Sequence, residues 1–189
     1  VVGLVRDSGT QVDHTGDARQ LVASSFAWRP SRATAVTAFA EYQRDESENN
    51  VGFFPWEGML LAAPNGRIPV ETFIGEPAWD SYGGHRARGG YQLTRTLSPR
   101  WTLAHTVRFD DVDGHVRAMY ANFWEGLRED GRSVNRTWYA NRTDTRIANT
   151  DAQVVGRLQL GRTEHTVLVA FDALWSHDVN PGVEGPATP

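Results

Sequence analysis

The chain's connections come in two sizes, and that sorting constrains its fold more than any single motif. Stretches with period-two alternation recur along it. The clearest is Trp101–Phe109, where Trp101, Leu103, Val107 and Phe109 share one parity and Thr102, Ala104, Thr106 and Arg108 the other. A β-strand with unlike faces requires that pattern. His105 falls on the apolar side and breaks it. Gln153–Leu160 and Ala35–Gln43 alternate in the same way, and Arg19–Trp28, Tyr91–Leu97 and Thr166–Trp175 less cleanly. Joining these strands are tight turns at Arg29–Ala33, Ser98–Arg100 and Gly161–Glu164, with the Pro, Gly and Ser that turns use. Between the turns lie long polar connections, residues 45–84 and roughly 110–135. A compact water-soluble domain rarely carries loops of that length without structure of their own. An outer-membrane barrel does so regularly, with short turns on its periplasmic side and long loops outside.

Aromatic placement agrees. Trp28 and Trp101 flank tight turns, where a barrel sets its periplasmic girdle, and Tyr42 and Trp175 lie towards the opposite strand ends. Seven strands are expected, at roughly 1–12, 17–29, 34–45, 85–97, 101–112, 136–160 and 165–177. Residues 136–150 are polar on both faces, as in a strand that projects beyond the bilayer before entering it. Single-chain bacterial barrels use even strand numbers, and an open sheet edge in lipid leaves backbone groups unsatisfied. The expectation is therefore a partial barrel wall over the whole of 1–189, with the closing strands elsewhere.

Composition narrows the chemistry. The longest apolar runs, Met59–Ala63 and Val167–Phe171, are far below the roughly 18 residues that a membrane-spanning helix needs. Without cysteine there is no disulfide, thiolate metal site or cysteine nucleophile. The net charge of -4, with arginines scattered along the chain, gives no nucleic-acid patch. The six histidines show no i,i+4 metal spacing, and no cofactor is expected. Asp110-Asp111-Val112-Asp113-Gly114 lacks the remaining ligands of a calcium loop and reads as a solvated strand-to-loop junction. Asn135-Arg136-Thr137 and Asn141-Arg142-Thr143 fit the glycosylation triplet, an accidental match in a bacterial outer-membrane protein.

Three ordered motifs then become recognisable: Phe53-Phe54-Pro55-Trp56-Glu57-Gly58, Pro64-Asn65-Gly66-Arg67-Ile68-Pro69 and Phe73-Ile74-Gly75-Glu76-Pro77. With Trp28-Arg29-Pro30-Ser31, Trp101-Thr102-Leu103 and His165–Val169 with Asp172, they make the chain resemble TonB-dependent siderophore receptors of the ferrichrome/hydroxamate type. The resemblance runs from about Gly3 to Trp175. It implies an all-β fold, about seven strands of a roughly 22-stranded antiparallel transmembrane barrel around an N-terminal plug. The plug, the TonB box and the closing strands would lie outside these residues. It further implies uptake of Fe(III)–siderophore complexes energised by TonB–ExbB–ExbD, in contact with outer-membrane lipid and lipopolysaccharide. By motif position Phe53 and Tyr120 fall on pocket aromatics, Phe123 and Trp124 nearby, and Val51 where an aromatic often stands. Aromatic rings suit an iron-wrapped carrier that presents apolar and polar surface together.

Two other classes compete. A β-sandwich glycan-binding module would use Trp56, Trp79 and Trp124 as sugar platforms. A glycoside hydrolase would pair carboxylates such as Glu57 and Glu125, which requires them about 5–10 Å apart in a cleft. Neither accounts for the sorting of the connections.

Overall fold

A computed structural model describes residues 1–48 and 51–187. Eight strands form one antiparallel sheet: β1 (Val2–Gly9), β2 (Gly16–Ser31), β3 (Thr34–Ser47), β4 (Ser81–Ser98), β5 (Trp101–Ala121), β6 (Arg136–Leu160), β7 (Thr163–Val179) and β8 (Gly182–Pro186). β1 to β7 pair in sequence order, each strand with the next, and β8 pairs with β6. The sheet is thus seven strands wide. β8 continues the line of β7 after a break at Asn180-Pro181, an element absent from the expected seven. Pro181 cannot donate to the ladder, yet its carbonyl accepts the Arg142 N–H at 3.2 Å, so β6 stays covered across the break.

Each tight turn has a local cause. Ser31 and Ser98 hydroxyls accept the N–H groups of Ala33 and Arg100, two residues on. At the third turn Gly161 adopts φ 62°, which glycine reaches without a Cβ clash. All three turns share one side of the sheet. The opposite side carries loops 10–15, 48–80 and 122–135.

The register sorts side chains onto two unlike faces. Trp28, Phe26, Val36, Ala38, Leu93, Tyr91, Leu103, Val107, Phe109, Val154, Val169, Phe171 and Trp175 fall on one. Phe26, Trp28, Phe109, Phe171 and Trp175 are well exposed there. The other face carries Arg19, Asp45, Glu41, Arg86, Arg88, Asp110 and Gln43, linked as Arg19–Asp45, Arg86–Glu41 and Arg88–Asp110 ion pairs. An apolar outside and a charged inside define a barrel wall in lipid. Among the described residues Ala118 and Ala121 are the only buried apolar side chains of the strands. A sandwich buries a layer between two sheets; this single sheet does not, which rules out the glycan-binding sandwich architecture.

His105, the break in the apolar stripe, has both ring nitrogens occupied. Nδ1 meets the Tyr91 hydroxyl and Nε2 the Thr150 hydroxyl, each at 3.0 Å. A polar ring facing lipid is tolerated when its partners lie in the same wall.

The largest difference from expectation lies in β5, which runs to Ala121 rather than ending near residue 112. Asp110–Gly114 is mid-strand, not a junction. Asp110 pairs with Arg88 on one face, while Asp111 and Asp113 pair with Arg146 and Arg142 on the other. Cross-strand ion pairs in water stand in for apolar contacts, so these residues look loop-like although they are ladder-paired throughout.

Candidate functional site

The site is built where the long loop 48–80 returns to the wall. Gly58 begins its first turn at φ 82°, and the Trp56 carbonyl accepts N–H groups from Met59, Leu60 and Leu61 at 3.2, 2.8 and 2.8 Å. Pro55, fully buried, anchors this turn. Phe53 is thereby held against the outer end of β5. Its ring meets Tyr120 edge-on at 6.1 Å between centroids and tilts against Phe123 at 5.5 Å. Phe123 in turn meets Trp124 edge-on at 5.1 Å, both within a single 3₁₀ turn, Phe123–Glu125. Four of the five expected pocket residues therefore form one aromatic chain. Val51 differs: its carbonyl accepts the Phe53 N–H at 2.7 Å, so it contributes backbone to the cluster.

Two clefts flank the chain of rings and share Trp56 and Phe123. One, of about 340 Å³, is apolar and lined by Phe53, Phe54, Pro55, Met59 and Leu60 besides the shared pair. The other, of about 310 Å³, adds Glu57, Leu61, Trp124 and Gly126.

A clasp between residues 73 and 80 fixes the loop to the wall. Asp80, 5% exposed, accepts the N–H of Glu76 at 2.8 Å with one oxygen and that of Met119 at 2.6 Å with the other. β4 begins one residue later, at Ser81 opposite Arg117. The Asp80 carboxylate thus caps a β5 N–H where the β4 ladder stops. Burial pushes this carboxyl above its ordinary value, and the two N–H donors only partly oppose that. Gly75 is obligatory beside it, since a Cβ there would lie 1.7 Å from the Asp80 carboxylate. The Arg136 guanidinium, from the first residue of β6, donates to the Gly75 carbonyl at 2.7 Å and lies 3.6 Å from Glu76. Trp79 packs edge-on to Trp138 at 6.2 Å with Arg117 over its ring at 5.6 Å.

This arrangement revises the competing site readings. Trp79 is enclosed by Arg117 and Trp138 and offers no sugar platform. Glu125 is taken up by two amides, Asn122 at 3.0 Å and Asn135 at 2.7 Å, which tie the base of loop 122–135. It is a structural carboxylate rather than half of a hydrolytic pair. The sequence reading missed Asp80, Arg136 and the double role of Trp56. An aspartate directly before the strand start at Ser81 was the only local sequence signal.

The rim loops are tied to one another. The Asp13 N–H donates to the Glu71 carbonyl at 2.8 Å, and the Asn65 side-chain amide to the Gly131 carbonyl at 2.9 Å. In loop 122–135 Asp130 accepts from the Ser133 hydroxyl and from the N–H groups of Arg132 and Ser133, which lowers its carboxyl to about 2.

No protein-family model matches the chain. Over 95% of its length it is 22% identical to the ferrichrome outer membrane transporter/phage receptor of Escherichia coli K12. Over 90% it is 23% identical to the ferrioxamine B receptor of Salmonella typhimurium LT2. It spans about a quarter of the length of these relatives, 26% and 24%. Among solved structures, the ferripyoverdine receptor of the Pseudomonas aeruginosa outer membrane matches 95% of the chain with a TM-score of 0.74 at 14% identity, over 24% of that receptor. BauA, the ferric preacinetobactin receptor of Acinetobacter baumannii, matches 96% at TM-score 0.72 and 12% identity, over 26% of its length. The fold is accordingly that of a section of the barrel wall in these receptors. In sequence the chain is similar to receptors and transporters for iron carriers rather than to enzymes, as its motifs implied.

Proposed function

We propose that this chain is part of the barrel wall, about seven strands of it, of an outer-membrane receptor that takes up Fe(III)–siderophore complexes, of the hydroxamate type, with energy delivered through TonB–ExbB–ExbD. The observation that carries the reading is the aromatic chain Phe53–Tyr120–Phe123–Trp124, held at the loop end of a wall whose outer face is apolar. Rigid rings offer a large contact area at little entropic cost and suit a carrier that wraps its iron in a mixed polar and apolar shell. Phe53 and Tyr120 form the contact wall, with Phe123 and Trp124 extending it, and Val51 shapes the backbone beneath. Iron arrives already chelated, as cargo. The apolar band contacts lipid, with lipopolysaccharide around the outer rim. The free edges of β1 and β7 require further strands to complete the wall, since lipid leaves no open edge satisfied. A plug belonging to the same parent chain fits the charged inner face.

The test uses whole cells expressing the full-length receptor, with and without TonB, and iron-loaded ferrichrome as ligand. Binding and TonB-dependent uptake are expected in the parent, with affinity reduced by Phe53→Ala and by Tyr120→Ala. Recovery of the parent in the soluble periplasm, or unchanged affinity in both variants, would overturn the reading.

A further inference from the structure

The two clefts beside the aromatic chain differ in one chemical respect. The larger is lined by apolar side chains alone. The smaller brings a carboxylate, Glu57, among the rings of Trp56, Phe123 and Trp124, with Leu61 and the Gly126 backbone closing the remainder. The Glu57 oxygens lie about 3.5 Å from where a Cβ at residue 126 would stand, an ordinary contact distance. Gly126 itself sits at φ 73°, a conformation glycine adopts most readily.

Four other acidic groups of these loops are occupied. Glu125 is held by two amides, Asp80 by two backbone N–H groups, Glu76 by Arg136 and Asp130 by Ser133 and its neighbours. Among the described residues no hydrogen bond or ion pair reaches the Glu57 carboxylate. A carboxylate that shares a cleft of about 310 Å³ with three aromatic side chains suits an organic cation. Ring faces attract a cation through their quadrupole, and the carboxylate supplies the counter-charge. A metal ion would need several oxygen ligands, and this cleft presents one carboxylate.

We infer that Trp56, Glu57, Phe123 and Trp124 form a subsite for a primary alkylammonium group, and that the ligand of this receptor carries such a group on an arm. The inference rests on the iron-carrier reading above and deepens it. The iron-wrapped body lies against Phe53 and Tyr120, and the arm turns past Phe123 into the acidic cleft. The shared Phe123 and Trp56 set the distance between the two compartments.

The experiment uses the full-length receptor, its Glu57→Gln variant and three probes. These are iron-loaded ferrioxamine B with its free terminal amine, the same complex with that amine acetylated, and pentylammonium alone. Glu57→Gln keeps the side-chain shape and removes no hydrogen bond found among the described residues. In the parent receptor acetylation is expected to weaken binding three- to tenfold, roughly what an ion pair and a cation–π contact at a partly exposed site supply. Glu57→Gln is expected to abolish that difference while leaving affinity for the acetylated complex unchanged. Pentylammonium at millimolar concentration should change tryptophan fluorescence saturably in the parent and not in the variant. Equal affinity for the two iron complexes in the parent overturns the subsite. So does a fluorescence response that persists in Glu57→Gln. A Glu57-dependent pentylammonium response with neither iron complex bound would uphold the subsite and overturn the hydroxamate reading instead.

Discussion

The carboxylate of Asp80 accepts the backbone N–H of Met119 at 2.6 Å, one residue before the ring of Tyr120. A side chain at the end of the long loop therefore completes the hydrogen bonding of the strand that carries Tyr120. Asp80→Ala leaves that buried N–H without a partner, which costs about 1–3 kcal/mol. The expected result in the full-length receptor is faster amide exchange at Met119 and Glu76, easier proteolysis of loop 48–80 and weaker ligand binding. Unchanged exchange at Met119 would remove Asp80 from this role.

Gly75 gives a sharper version of the same test. A methyl group there meets the Asp80 carboxylate and the Phe73 ring, at 1.7 and 2.7 Å. Gly75→Ala must displace both of them, at a cost of about 1–3 kcal/mol. The clasp should open by limited proteolysis while the strands keep their circular dichroism.

Two carboxylates of the loops respond to acid in opposite senses. Burial raises the Asp80 carboxyl, so its folded form holds a proton more readily than the unfolded chain does. The stability that this proton confers is complete below the ordinary value of 3.8 and is lost as pH rises through the raised folded value. Asp130 is lowered to about 2 by the Ser133 hydroxyl and by two N–H groups, so its contribution is present above 3.8 and lost as pH falls towards 2. Acidification is expected to loosen the turn Arg128–Ser133 while leaving the clasp closed. Protection factors of the Ser133 and Met119 amides, corrected for intrinsic exchange and followed between pH 5 and pH 2, read both; the two losing protection together would contradict the assignment.

The two faces of the wall should differ in their tolerance of charge. Val107 points to the apolar side and Thr106 to the inner side of the same strand. Val107→Arg is expected to destabilise the full-length barrel in lipid vesicles by about 2–4 kcal/mol in denaturant unfolding, and Thr106→Arg by much less. Equal effects would mean that the faces are assigned wrongly.

What the sequence revealed tracks where lipid imposes a rule. Trp101–Phe109 and Gln153–Leu160 alternate because one side meets hydrocarbon, and their strands fall where alternation places them. The outer extension of β5 was hidden because Asp110, Asp111 and Asp113 pair across strands in water, where either parity is polar. β8 was hidden by Pro181, which signals a break although pairing resumes beyond it. Phe53 and Tyr120, which meet in the aromatic cluster, were singled out through motif likeness, not through pattern. Asp80 and Met119 lie 39 residues apart, and their contact depends on where β4 stops, which no local period records. Glu57 drew attention as a catalytic acid; its surroundings became visible only when Trp56, Phe123 and Trp124 were seen around it.

Three loops of the outer rim are fastened to each other by Asp13–Glu71 and Asn65–Gly131, contacts that span large sequence distances. The consequence is kinetic. Loops ordered before a ligand arrives need not surrender their freedom when it binds, so the rim acts as a preformed cup whose affinity is set by contact quality rather than by ordering. Cutting one fastening, as Asn65→Ala does, would release loop 122–135 from the other two. Association would then slow because the productive shape must first be found, and the bound complex would dissociate from a mouth that no longer holds together.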